Sequence, residues 1–254
     1  MKKTTMKNAK VKYIISADDR KIAYHKISGK QPTVVYCGGF MSDMEGTKAI
    51  YLEQCCRELG LAYIRFDYSG HGLSSTDFKE GTIGKWKEDA LAVIDQLSEG
   101  SLIIVGSSMG GWIGLLISLA RKERIHAFIG VAAAPDFTRA LMWDTFTDEI
   151  KRGLITEGFY YQPSEYSDEP YIISHTLIME GDNHLILNKP IDLNCPARLF
   201  HGKLDKDVPP KWSSFIAENM TSDDVTLYIN ETGDHRLSSS EDLDRLKSAL
   251  IELA

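Results

Sequence analysis

Apolar positions along the chain fall into short continuous runs, separated by longer stretches with helical spacing. Residues 33–36, 61–66, 102–105, 127–131, 198–201 and 225–229 are the runs, and each reads as a strand. Runs without polar alternation fit strands covered on both faces. Between them, residues 47–59, 86–97, 109–121 and 239–253 carry helix patterns. Trp86, Ala90, Val93, Ile94 and Leu97 recur every three or four positions and mark one buried stripe. Residues 109–121 are apolar nearly all round, which predicts a central helix. Leu243, Leu246, Leu250 and Leu253 share one face of the final helix. This strand–helix alternation predicts an α/β fold with a mostly parallel central sheet flanked by helices. Residues near 13–27 predict one or two earlier strands that form an antiparallel edge.

Residues 136–191 break the rhythm. The segment is helix-like and rich in acids and aromatics, among them Phe137, Trp143, Phe146, Phe159, Tyr160, Tyr161, Tyr166 and Tyr171. Its place between two sheet strands predicts a helical cap over the carboxyl edge of the sheet, where open α/β sheets bind ligands. Extra helices packed on the flank are the other arrangement this composition allows. The expected organisation is one domain over residues 1–254, with the cap inserted at about 136–191.

Gly106-Ser107-Ser108-Met109-Gly110 fits the pattern G-x-S-x-G, directly after an apolar run and directly before an apolar helix. That context predicts a sharp strand-to-helix turn that lifts the Ser108 hydroxyl to the end of the sheet. Gly106 and Gly110 remove side chains that would clash, and Gly111 allows still closer packing. The plainer reading is a tight turn with an N-cap serine, a role open to Ser107. A nucleophilic serine needs a base. Of seven histidines, His235 lies after the last strand and before the last helix, where the chain order Ser–acid–His puts the base. His201 ends a strand and is expected to orient its loop. His71 is expected at the pocket rim, and His175 and His184 in the cap. His25 and His126 read as structural or exposed. The acid is expected at Asp205, with Asp207 as a near rival and Asp136 as a remoter one. Backbone N–H groups of Met109 and Phe40 are the expected oxyanion donors, Phe40 following Gly38-Gly39.

Composition narrows the function further. The chain has 254 residues, enough to bury roughly 75% of its unfolded surface without a disulfide or metal staple. Its net charge of −7 argues against a coat for nucleic acid or an anionic membrane. No apolar run reaches the length of a membrane-spanning helix. Cys37, Cys55, Cys56 and Cys195 show no metal-ligand spacing, and vicinal Cys55 and Cys56 read as packing residues of a helix. No metal and no cofactor are expected. Asp67-Tyr68-Ser69-Gly70-His71-Gly72 lacks the Gly-Lys-Ser/Thr ending of a phosphate loop and is expected to border the pocket. The Lys-rich residues 1–10 have no apolar stretch after them and no Arg, which predicts a frayed start and a cytoplasmic location.

Together these blocks resemble the α/β-hydrolase superfamily. The resemblance extends to Gly39-Phe40-Met41-Ser42, Arg65-Phe66-Asp67-Tyr68-Ser69-Gly70, Gly84-Lys85-Trp86 and Asn194-Cys195-Pro196. It also includes His201-Gly202-Lys203-Leu204-Asp205-Lys206-Asp207-Val208-Pro209 and Asp234-His235-Arg236. Over about residues 33–254 the chain is similar to the mitochondrial α/β-hydrolase-domain depalmitoylase family, which acts on palmitoyl-protein thioesters and acyl glucuronides. It departs at the oxyanion loop, where Gly38-Gly39 stands in place of the frequent His-Gly. The resemblance implies a Ser108–His235–Asp205 triad and a serine hydrolase that works through an acyl-enzyme. A hydrophobic acyl ester or thioester is the implied substrate, an S-acylated protein included, and the oligomeric expectation is a monomer or dimer. Carbon–carbon bond hydrolysis, perhydrolysis and a non-catalytic ligand-binding role are the alternatives. A dehalogenase is disfavoured because position 108 is serine rather than aspartate.

Overall fold

The computed structural model describes residues 11–163 and 170–254. The expected frayed start at residues 1–10, and Tyr166 of the aromatic segment, lie outside the described residues. In chain order the first strands are β1 (Lys12–Ile15), β2 (Lys21–Ile27), β3 (Lys30–Cys37), β4 (Leu61–Phe66), β5 (Leu102–Ser107) and β6 (Ile125–Val131). After β7 (Phe159–Gln162) and β8 (Tyr171–Ser174) come β9 (Ala197–Gly202) and β10 (Val225–Asn230). The helices are α1 (Thr47–Leu59), α2 (Ile83–Leu97), α3 (Met109–Ala120), α4 (Asp148–Glu157), α5 (His175–Gly181), α6 (Lys211–Asn219) and α7 (Ser240–Leu253).

Eight strands form the central sheet in the order β1-β2-β4-β3-β5-β6-β9-β10. The β1–β2 and β2–β4 pairs are antiparallel and make the expected edge, and the other pairs are parallel. Side chains alternate across a strand, so β5 feeds two cores. Leu102 and Ile104 enter one core beside Trp86 of α2 and Trp112 of α3. Ile103 and Val105 enter the other beside Leu52 and Cys56 of α1 and Leu250 of α7. Trp86 and Trp112 are fully buried. Removing each indole from water contributes on the order of 4–6 kcal/mol. Thr82 caps α2, and Ser239 with Asp242 forms a capping box on α7. Among the described residues, no helix is long and apolar enough to cross a membrane.

Between β6 and β9 the chain runs through a π-helical turn (Thr138–Trp143), α4, the antiparallel pair β7–β8, and α5. The helix-like expectation for this segment therefore missed a hairpin. Phe159-Tyr160-Tyr161 and Tyr171-Ile172-Ile173 are aromatic and β-branched runs, which pack better on a pleated surface than on a helix. Leu154, Ile173 and Ile178 form a small core of the segment's own. Several contacts tie the segment to the sheet layer. The Gly84 N–H donates to Glu180 at 3.0 Å, and the Lys79 ammonium lies 5.4 and 5.7 Å from the Phe159 and Tyr161 ring centres.

Candidate active site

Ser108 joins β5 to α3 with φ of 54° and ψ of −121°. A non-glycine residue in this region costs on the order of 1–3 kcal/mol. Backbone bonds hold it there: Ser108 N–H donates to the Val131 carbonyl at 2.9 Å, and its own carbonyl accepts from Ala134 N–H at 3.0 Å. The turn leaves no room for side chains on either flank. A Cβ on Gly106 would meet the Gly110 carbonyl oxygen at 2.4 Å, and one on Gly110 would meet the Cys37 carbonyl oxygen at 2.0 Å. Ser107 ends the strand, and the Ser108 hydroxyl makes no capping bond to α3. It faces His235 instead.

His235 Nε2 lies 3.0 Å from Ser108 Oγ, and His235 Nδ1 lies 2.7 Å from Asp205 Oδ2. Asp205 follows β9 and its side chain is fully buried. Its other oxygen, Oδ1, accepts from the Asp207 and Val208 N–H groups at 2.9 and 2.8 Å. Burial alone would raise the carboxyl pKa. Hydrogen bonds from His201, His235 and the Val208 N–H outweigh it and hold Asp205 well below the usual carboxylate range. Asp205 therefore carries its negative charge across the neutral pH range. Asp234 accepts from the Arg236 and Leu237 N–H groups at 3.0 and 3.1 Å, a turn that fixes the loop around His235.

Of the rival acids, Asp207 is exposed and stands close to Asp205 and His235 at the edge of the same site. Asp136 spends both oxygens on the Ile186 and Leu187 N–H groups, at 2.9 and 3.0 Å, and so braces the far end of the inserted segment. His184 bonds Glu180 at 2.6 Å within that segment. His201 is fully buried against Ser213, Val208 and Asp205, a contact with the acid that no sequence spacing announces.

His71 lies within an aromatic cage rather than at the pocket rim. Its ring centre is 5.0 Å from Phe78 and 5.2 Å from Trp86, and its buried Nε2 has no hydrogen-bond partner among the described residues. The expected rim position overlooked how much aromatic surface the 67–72 loop covers. Burial pushes the imidazole pKa down from 6.5 to about 4. Between these values the unfolded chain binds a proton that the folded chain does not, so stability falls as pH drops from 6.5 towards 4. From pH 7 to pH 5 this one group is expected to remove about 2 kcal/mol of unfolding free energy. Urea melts of wild type and His71→Phe at the two pH values check this: the variant should lose less by that amount, and equal losses would refute it.

The loop after β3 closes over the serine. A Cβ on Gly39 would stand 3.5 Å from Ser108 Cβ. Met44 N–H donates to Asp67 at 2.7 Å, Arg65 donates to the Met44 carbonyl at 2.8 Å, and these bonds brace the loop that carries Phe40. The Phe40 ring contacts Phe78, Trp86, Phe137 and Tyr171, with centres 5.0–6.0 Å away. Met109 is the first residue of α3, so its N–H has no intrahelical acceptor. Phe40, Met109, Ser108 and His235 all border a cavity of about 720 Å³. Leu141, Met142 and Tyr171 of the inserted segment form part of its wall.

Lys48 also lines the cavity and was not singled out from the sequence as a site residue. It donates to the Arg236 carbonyl, clamping α1 to the His235 loop, and burial pushes its pKa down to about 8. Asp205, Asp207 and His235 are the one described group of acids and imidazoles near enough to share a metal ion, with ligand atoms within 4.8 Å. Asp205 and His235 already bond each other there.

This strand–serine–helix turn, with an acid after β9 and a histidine before α7, defines a class. Residues 32–156 match the sequence model of the α/β hydrolase fold. The chain belongs to that family. The human mitochondrial palmitoyl-protein thioesterase ABHD10 is 40% identical over 233 residues, which span 91% of this chain and 76% of the human one. The structure of mouse α/β hydrolase domain-containing protein 10 is 36% identical, has a TM-score of 0.89, and covers 96% of this chain and 98% of its own. A crystal structure from Agrobacterium vitis S4 is 38% identical at a TM-score of 0.93, with the same coverage of both chains. These relatives correct the cytoplasmic location expected from the sequence, because the curated mammalian proteins are mitochondrial. That expectation rested on the composition of ten terminal residues.

Proposed function

We propose that this protein is a serine hydrolase that cleaves carboxylic esters or acyl thioesters through an acyl-enzyme. The observation that carries this reading is the bonded line Ser108–His235–Asp205, 3.0 and 2.7 Å per step, facing the large cavity. A serine hydroxyl becomes an effective nucleophile when a base removes its proton as it attacks. Here Ser108 Oγ attacks the acyl carbon while His235 Nε2 takes the proton. Ionised Asp205 keeps the Nδ1 proton in place and stabilises the imidazolium. Charge that builds on the carbonyl oxygen meets the Met109 and Phe40 N–H groups at the positive end of α3. The tetrahedral species then expels the alkoxide or thiolate, which receives the proton from His235. Water next attacks the acyl carbon and passes a proton to His235, which returns one to Ser108 Oγ as the carboxylic acid leaves.

On this proposal residues 136–191 are a cap within one domain spanning 1–254. The apolar wall from Leu141, Met142 and Tyr171 supports a hydrophobic acyl group. The thioesterase names of the mammalian relatives support a thiol leaving group, an S-acylated peptide included. A series of p-nitrophenyl esters and acyl thioesters from acetyl to palmitoyl tests the reading. Each methylene taken up by the wall contributes about 0.8 kcal/mol, so kcat/KM is expected to climb up to ~4-fold per carbon until the pocket is filled. A maximum at acetyl would contradict an apolar acyl site.

A further inference from the structure

We infer that His201 and Ser213 are positioning residues that extend the hydrogen-bonded line beyond Asp205, setting the orientation of the acid from behind. The inference rests on the hydrolase reading above. His201 ends β9, Asp205 lies in the loop that follows, and Ser213 sits in the first turn of α6. All three side chains are fully buried. His201 Nε2 is 2.8 Å from the Val208 carbonyl and 3.1 Å from Asp205 Oδ2, and His201 Nδ1 is 2.7 Å from Ser213 Oγ.

The chemistry of these partners assigns the protons. A carbonyl and an ionised carboxylate only accept, so Nε2 carries hydrogen and shares it between them. At the other end of the ring Nδ1 is paired with the Ser213 hydroxyl, which fixes the orientation of the imidazole. Asp205 Oδ2 thus receives two imidazole N–H groups, from His235 in front and His201 behind. Oδ1 is held by the Asp207 and Val208 N–H groups. With four donors the carboxylate has one orientation, and the Nδ1–H of His235 meets an oxygen already in place. Val208 belongs to the same arrangement twice: its N–H holds Asp205 and its carbonyl holds His201. Without His201, one lone pair of Oδ2 loses its partner in a dry site, and the carboxylate can rotate away from His235.

The test uses His201→Leu, His201→Gln and Ser213→Ala in the full chain. Ester turnover is normalised to sites titrated with a fluorophosphonate. His201→Leu is expected to lower kcat about 10- to 100-fold, the range for losing one hydrogen bond to a charged group, with KM little changed. His201→Gln places an amide N–H near the position of Nε2 and is expected to restore most of that loss. Ser213→Ala should lower kcat in wild type but add nothing to His201→Leu, the non-additivity of residues that act as one unit. A second readout needs no turnover: the downfield proton resonance of the His235 Nδ1–H should shift in His201→Leu and return in His201→Gln. A lowered melting temperature with unchanged kcat per site and an unmoved resonance would overturn the inference. If His201→Leu does not fold, Ser213→Ala decides, and wild-type kcat together with a wild-type resonance in that variant overturns it. If wild type hydrolyses no ester, the hydrolase reading fails, while the resonance still reports on the positioning.

Discussion

Replacing Ser108 with alanine is expected to lower kcat by a factor on the order of 10⁶, about 8 kcal/mol of transition-state stabilisation. The change removes one oxygen atom, the atom proposed to form the acyl bond. The scaffold should survive it. Ser108 is held at its positive φ by backbone bonds to Val131 and Ala134, none of which uses the hydroxyl. Melting temperature and substrate binding should therefore stay close to wild type. Such a fall in kcat on an intact fold separates a nucleophile from a serine that merely shapes the turn. Residual turnover well above background would assign the chemistry to another group at the cavity.

Asp205→Asn is expected to lower kcat on the order of 10⁴-fold, about 5 kcal/mol, with KM little changed. The reason is the tautomer of His235. An amide at this position can still accept from the Asp207 and Val208 N–H groups through its oxygen. Its NH₂ then faces His235 Nδ1 and His201 Nε2, where the carboxylate oxygen had accepted from both. His235 Nδ1 must become the acceptor, the ring proton moves to Nε2, and Nε2 can no longer take the proton of Ser108. Steady-state kinetics on the variant checks this. Near-normal activity would move the acid role to Asp207 or Asp136. The geometry disfavours both: Asp207 is close to His235 but exposed, with Nδ1 already bonded to Asp205 at 2.7 Å, and Asp136 is committed to the Ile186 and Leu187 N–H groups.

The parts of this molecule that local chemistry dictates were legible in the sequence. The β5–α3 turn was readable because an apolar run, two obligatory glycines and an apolar helix occupy one short stretch. The parallel sheet followed from runs that lack polar alternation, and its antiparallel edge from residues near 13–27. The order of Ser108, Asp205 and His235 along the chain was enough to bring them forward as one group. Asp205 and Asp207 were hard to separate, because two acids two residues apart in a loop look alike until the backbone donors around them are known. The β7–β8 hairpin was hidden for a different reason. Its aromatic side chains pack on Lys79 and the neighbouring loop, and such tertiary partners leave no period in the sequence. The same holds for His71, whose aromatic cage is drawn from positions 68, 78 and 86. The contact between His201 and Asp205 likewise depends on how one loop turns back on its strand.

The most direct test of the central claim is covalent. Wild type and Ser108→Ala are treated with a fluorophosphonate, and the intact mass of each is measured before and after. An activated Ser108 predicts a single adduct on wild type, located on the peptide that contains residue 108, and none on the variant. A folded wild-type protein that takes up no label, or a variant that labels equally well, would contradict the proposal that Ser108 is the nucleophile of this site.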